Sequence, residues 1–83
     1  NPNNAHALNF LGYSLLQKEV ELDKAFKYIS KAAALRPNDG YIIDSLGWYY
    51  YKTGQIKKAF EKIKKANNLV QDSVIMNHMA IYF

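Results

Sequence analysis

The side chains able to do acid–base, metal or nucleophilic chemistry are few and scattered. The two histidines, His6 and His78, stand at opposite ends of the sequence, and no Cys or Asp/Glu cluster at ligand spacing accompanies either. A structural metal site wants about four ligands, so both read as surface or groove histidines and no metal is expected. Of the carboxylates, Glu19, Glu21 and Asp23 crowd one polar connection, where they read as solvated loop and cap residues, with Asp23 placed to cap the helix that follows. The absence of cysteine removes disulfides, thiolate sites and thiol nucleophiles. The expectation is therefore no enzyme, no cofactor and no small-molecule substrate. What remains is a set of rings, seven Tyr, four Phe and one Trp, and large rings with few rotamers serve recognition.

Whether those rings form a surface depends on the elements that carry them, and these elements repeat. Leu8-x2-Leu11-Gly12-x2-Leu15 returns 35 residues later as Ile43-x2-Leu46-Gly47-x2-Tyr50, and 33 residues after that as Met76-x2-Met79-Ala80-x2-Phe83. Ala25-x3-Ile29-x2-Ala32 returns after 34 residues as Ala59-x3-Ile63-x2-Ala66. Within each unit the apolar positions step by three and four, the spacing of a helix face. The spacing predicts helices over 4–18, 22–35, 40–53, 55–69 and 73–83. Pro2-Asn3-Asn4 and Pro37-Asn38-Asp39 supply an extended turn and then an N-cap side chain. Gly54 offers the left-handed conformation that ends a helix.

Two glycines inside strong helices need a cause, since each costs about 1 kcal/mol relative to alanine. Gly12 and Gly47 imply that a neighbour packs too close for a Cβ, with Ala25 and Ala59 as counterparts and Phe26, Ile29, Phe60 and Ile63 filling the flanks.

With these residues in place the sequence resembles tetratricopeptide repeats, whose 34-residue pattern of Leu-Gly, x2, Tyr, then Ala-x3-Phe and a closing Pro it matches nearly throughout. Repeat one keeps Gly12, Ala25, Ala32 and Pro37 but carries an extra residue and no Gly between Lys18 and Leu22; repeat two has Gln71 where the closing Pro would stand. The resemblance implies an all-α, right-handed solenoid of antiparallel helical hairpins, about two and a half repeats in five helices. Repeat one would span 1–38, repeat two 39–72, and 73–83 would be the first helix of an incomplete third. The opening Asn1-Pro2-Asn3-Asn4 reads as the start of a piece cut from a longer protein. Ten lysines to one arginine, with abundant Asn, Ile and Tyr, fit an AT-rich, bacterial coding bias.

A stack of such hairpins presents a concave surface built from the first helix of each unit. On unit one the groove positions are His6, Asn9, Tyr13 and Leu16 or Gln17; on unit two Tyr41, Asp44, Trp48, Tyr51 and Lys52; on unit three Val74, Asn77 and Ile81. Tyr13, Tyr41, Trp48 and Tyr51 would form an aromatic floor, with Asn9, Asp44 and Asn77 as a polar row. Tyr51 has an equally good packing reading, whereas Trp48, off the core stripe beside Gly47, reads as a partly exposed anchor. The carboxylate clamp of cochaperone members of the family is absent, because its places carry Asn9 and Tyr13, then Ser45, then Val74 and His78. The expected role is a non-catalytic scaffold that binds an internal peptide or protein segment.

Two other surfaces compete with the groove. Met76, Met79 and Phe83 match core positions of the earlier first helices, so helix 73–83, with Ile75 and Tyr82, is expected to be covered by a second copy, by parent-chain residues or by a partner. The net charge of +4 draws on Lys57, Lys58, Lys62, Lys64 and Lys65 of the fourth helix, whose polar face points away from the groove. That placement favours a solvated surface over RNA binding. No apolar run approaches the length needed to span a bilayer, so no membrane association is expected.

Overall fold

The computed structural model describes residues 4–70. The helix expected over 73–83, the groove positions Val74, Asn77 and Ile81, and the self-association residues Ile75, Met76, Met79, Tyr82 and Phe83 lie outside the described residues. Between Asn4 and Val70 the chain is all-helical: α1 (Ala5–Gln17), α2 (Leu22–Leu35), α3 (Gly40–Lys52) and α4 (Ile56–Leu69). Each helix packs mainly on its sequence neighbour, α1 on α2 and α3 on α4, while α3 also rests on α2 and α1.

The helix starts follow from side chains that satisfy orphan amides. Asn4 Oδ1 accepts from the Ala7 amide at 3.1 Å, and Asp39 Oδ1 accepts from Tyr41 and Ile42 at 2.9 and 3.2 Å. Asp23 does not cap α2 as expected. The helix begins at Leu22, as its expected range 22–35 had it, so Asp23 falls within the first turn and the cap position goes to Glu21, whose side chain makes no capping bond.

α1 and α3 end in the same way. At the end of α3 the Gly54 amide bonds Tyr51 O at 3.1 Å and the Gln55 amide bonds Tyr50 O at 2.8 Å, with Gly54 at φ 81°. At the end of α1 the Glu19 amide bonds Leu16 O at 3.0 Å and the Val20 amide bonds Leu15 O at 3.2 Å, with Glu19 at φ 55°. Both are Schellman motifs, which put one left-handed residue just past the helix. A glutamate therefore occupies in the first hairpin the position that glycine fills in the second. The extra residue of the first loop is absorbed by a second left-handed residue, Glu21 at φ 47°.

A side chain in the left-handed region costs about 1–2 kcal/mol, and glycine returns part of that relief as unfolded-chain entropy of about 0.5–1 kcal/mol. The Glu19 carboxylate lies 3.5 Å from Lys52 Nζ, but it is well exposed, and such pairs contribute little. Glu19→Gly is thus expected to raise the thermal midpoint by a few degrees. A lowered midpoint would show that the ion pair outweighs the backbone strain.

The core consists of the small and branched residues that recur in sequence. Ala25, Ile29 and Ala32 of α2 and Ala59, Ile63 and Ala66 of α4 are buried. A Cβ on Gly12 would stand 2.5 Å from Ile29 Cγ1 and 2.9 Å from the Ala25 carbonyl oxygen; one on Gly47 would stand 2.8 Å from Ile63 Cδ1. The glycines are there because the paired helices touch at those points. The two phenylalanines differ. Phe26 is covered by α3, its ring 4.8 Å from that of Tyr49, whereas Phe60 is 40% exposed with the Lys64 ammonium 5.9 Å above it.

Candidate functional site

The first helices α1 and α3 lie side by side, and a recess of about 320 Å³ opens between their N-terminal halves, lined by His6, Asn9, Phe10, Tyr13, Tyr41, Asp44 and Ser45. The helical period explains the lining: His6, Phe10 and Tyr13 follow i, i+4, i+7 on α1, and Tyr41 and Ser45 follow i, i+4 on α3. Five of the expected groove residues, His6, Asn9, Tyr13, Tyr41 and Asp44, meet here. Phe10, 71% exposed, and Ser45 were not among the expected positions. The i+4 step from His6 to Phe10 and from Tyr41 to Ser45 was the signal that could have found them.

The polar groups in the recess are placed by local bonds. Ser45 Oγ donates to the Tyr41 carbonyl one turn back at 3.2 Å, which leaves its oxygen lone pairs as acceptors. Asn9 Oδ1 is buried with no hydrogen-bond partner among the described residues. Asp44 is buried. Partial burial, and then the neighbouring Asp44 carboxylate, hold the Tyr13 phenol above its ordinary pKa, so it stays neutral and keeps its proton. Asp44 and Tyr13 therefore sense one another across the space between α1 and α3.

Trp48, Tyr51 and Lys52 do not join this recess. They gather further along α3 against the C-terminal half of α1, where the indole Nε1 donates to Gln17 Oε1 at 2.7 Å. The Tyr51 ring stacks on the indole at a centroid distance of 5.3 Å, and the Lys52 ammonium lies 5.2 Å from the indole centroid. Trp48 is only 7% exposed and packs in one cluster with Leu16, Ala25 and Ile29. The expectation of an exposed, off-core Trp48 is corrected by this packing: α1 and α3 approach closely enough for the long indole to fill the seam between them. Leu16, offered with Gln17 as a groove position, is fully buried in the same cluster, and Gln17 holds the exposed place.

On α4, Lys57, Lys58, Lys64 and Lys65 are exposed and Lys62 is half-buried. None of them lines the recess. Among the described residues no group of three or more His, Cys, Asp or Glu could hold a metal ion, and no helix is long and apolar enough to cross a membrane.

Paired helices joined by short capped turns, with glycine-to-helix contacts recurring at one period and a recess on the first-helix side, define a helical-hairpin repeat protein. No family model matches the sequence. A TPR repeat-containing protein of Pseudomonas aeruginosa, PA4667, is 36% identical over 78 residues, which is 94% of this chain and 13% of that protein. The mitochondrial import receptor subunit TOM70 of Rattus norvegicus and that of Mus musculus are each 30% identical over 78 residues, again 94% of this chain and 13% of theirs. Over nearly its whole length the chain is thus similar to a tetratricopeptide-repeat protein, and it spans 13% of the length of the curated relatives it matches.

Proposed function

We propose that this chain is a non-catalytic protein-interaction module that seats a peptide or protein segment in the recess between α1 and α3. The observation that carries the reading is the recess itself: aromatic walls from Phe10, Tyr13 and Tyr41 around a few converging polar groups, the make-up of a recognition site. In this reading the hairpins are successive turns of a right-handed solenoid, repeat one over 1–38 and repeat two over 39–72, with 73–83 extending the groove as the first helix of a third. One of its relatives is by name an import receptor subunit, which supports a binding role.

The anchor passes from Trp48 to Tyr41, which is 47% exposed at the rim of the recess. Tyr41→Ala is expected to weaken the cognate segment by more than about 1 kcal/mol, the usual mark of an anchor ring. The thermal midpoint should fall less than for a buried ring, since Tyr41 is about half exposed and the capping contact at this position uses the backbone amide. Titration calorimetry beside a melting curve checks both; undiminished affinity in a folded variant would remove Tyr41, and the recess with it, from the binding surface.

A further inference from the structure

The lysines of α4 are placed against the interest of the helix that carries them. Lys57 and Lys58 stand in its first turn, at the positive end of the peptide dipoles, and no acidic residue accompanies them there. Gln55 at the cap position makes no capping bond, its side chain donating instead to Thr53 Oγ1 at 3.0 Å. Glu61 is three or four residues from Lys57, Lys58, Lys64 and Lys65, the spacing at which helix side chains meet. It pairs with none of them: the ion pairs formed among the described residues are Lys24 with Glu21 and Lys52 with Glu19. Lys58 and Lys64 rest over the rings of Tyr50 and Phe60, contacts that bring no negative charge.

Two lysine pairs thus flank one carboxylate. Lys57-Lys58 and Lys64-Lys65 are two turns apart, about 10 Å along the axis, with Glu61 midway and all five side chains exposed. The row stays open when a helix packs alongside. At the repeat period Lys58, Glu61 and Lys65 correspond to Lys24, Lys27 and Lys31, which are exposed on α2 although α3 rests against that helix. None of these residues lines the recess between α1 and α3, so an occupant here is a second ligand.

The pattern discriminates among polyanions. An RNA backbone or an anionic bilayer is a continuous negative surface and would press like charge onto Glu61. The row also lacks an arginine, and its exposed ring, Phe60, already carries Lys64 rather than offering a face to a base. A protein segment can set its carboxylates two turns apart and place a cation between them.

We infer that the exposed face of α4 docks a second protein segment, one whose acidic residues meet Lys57-Lys58 and Lys64-Lys65 and whose basic residue lies opposite Glu61. This goes beyond the groove reading and stands or falls apart from it.

The test uses the full chain and three acetylated, amidated, alanine-rich peptides of equal length. Their three variable positions, spaced four and then three residues apart, carry Glu-Lys-Glu, Gln-Lys-Gln or Glu-Glu-Glu. An oligouridylate and phosphatidylcholine vesicles containing phosphatidylserine complete the set. Fluorescence anisotropy should show the Glu-Lys-Glu peptide binding at least tenfold tighter than Gln-Lys-Gln and at least threefold tighter than Glu-Glu-Glu. Glu61→Lys should reverse the second preference, so that Glu-Glu-Glu becomes the tighter ligand. Amide resonances should shift along α4 and not around the recess. The inference is overturned if Glu-Lys-Glu binds no tighter than Gln-Lys-Gln, if Glu-Glu-Glu, the RNA or the vesicles bind more tightly than Glu-Lys-Glu, or if Glu61→Lys leaves the order unchanged. Should Glu61→Lys fail to fold, Lys57→Gln combined with Lys65→Gln takes its place: the tenfold preference should drop to threefold or less, and its survival is the overturning result. Shifts confined to the recess overturn this second surface and retain the groove.

Discussion

Replacing Gly12 by leucine is expected to remove about 3 kcal/mol of stability, the upper part of the range for overpacking a tight core. The position has no slack. The first atom of any side chain would meet the Ala25 backbone oxygen at 2.9 Å and Ile29 Cγ1 at 2.5 Å, and Ile29 is itself fully buried and β-branched. A carbonyl cannot rotate away, so α1 and α2 must separate along their contact. For a chain near the lower size limit of self-sufficiency, where a core supplies about 3–5 kcal/mol in all, that is most of the stability. The alanine variants sharpen the claim. Gly47 meets side-chain atoms of Ile63 and Lys62, and alanine in a helix returns about 1 kcal/mol of propensity, so Gly47→Ala should be the milder of the two and Gly12→Ala clearly destabilising. Thermal melts of the pair decide it; equal midpoints would mean the backbone oxygen of Ala25 is not the limiting contact.

That the glycines mark helix contacts was legible in the sequence, because a glycine inside a helical pattern carries a cost that only a close neighbour explains. Asn4 and Asp39 were legible for a related reason: a short polar side chain after an X-Pro turn has one good use, and its reach to the next amides is fixed by covalent geometry. The end of α1 was not legible. Nothing in Lys18 to Leu22 announces a left-handed residue, since glutamate takes that conformation only when the packed helices on either side demand it. Asp23 was misplaced by the same loop, whose second left-handed residue, Glu21, takes the cap position and leaves Asp23 inside the first turn.

The recess was half legible. Helical spacing brings Asn9 and Tyr13 onto one face of α1 and Tyr41 and Asp44 onto one face of α3, and the parallel run of the two faces follows from the repeat. What spacing cannot give is how near α1 and α3 come along their length. They stay open around Tyr13 and Asp44, leaving the recess, and close at Leu16, where Trp48 fills the gap. An off-stripe position reads as solvent only if the neighbouring helix is distant, and a tryptophan is long enough to bridge an intermediate separation. The donor at its tip found Gln17, a residue 31 positions away, a pairing no local pattern contains.

Truncation of that ring is the second large effect. Trp48→Ala is expected to cost about 3–5 kcal/mol, the range for deleting a buried large aromatic, and so to unfold much of the population at ambient temperature. The loss has separable parts. Trp48→Phe keeps most of the apolar contact with Leu16 and the stack with Tyr51 but removes the indole donor, and a hydrogen bond of this kind contributes about 0.5–1.5 kcal/mol. Gln17 is exposed and its oxygen can return to water, so the phenylalanine variant should stay near the lower end of that figure plus whatever volume it leaves unfilled. As the only tryptophan in the sequence, the residue also reports its own surroundings: emission in the folded chain should be blue-shifted and resist iodide, then shift red through the same transition seen by circular dichroism. A Trp48 emission quenched at the rate of free indole, with Trp48→Ala still folded, would put the ring back on the surface and reopen it as a recognition anchor. The contact at the seam predicts instead that Trp48 fixes the angle between α1 and α3, and with it the width of the recess that Tyr13, Tyr41 and Asp44 line one turn away.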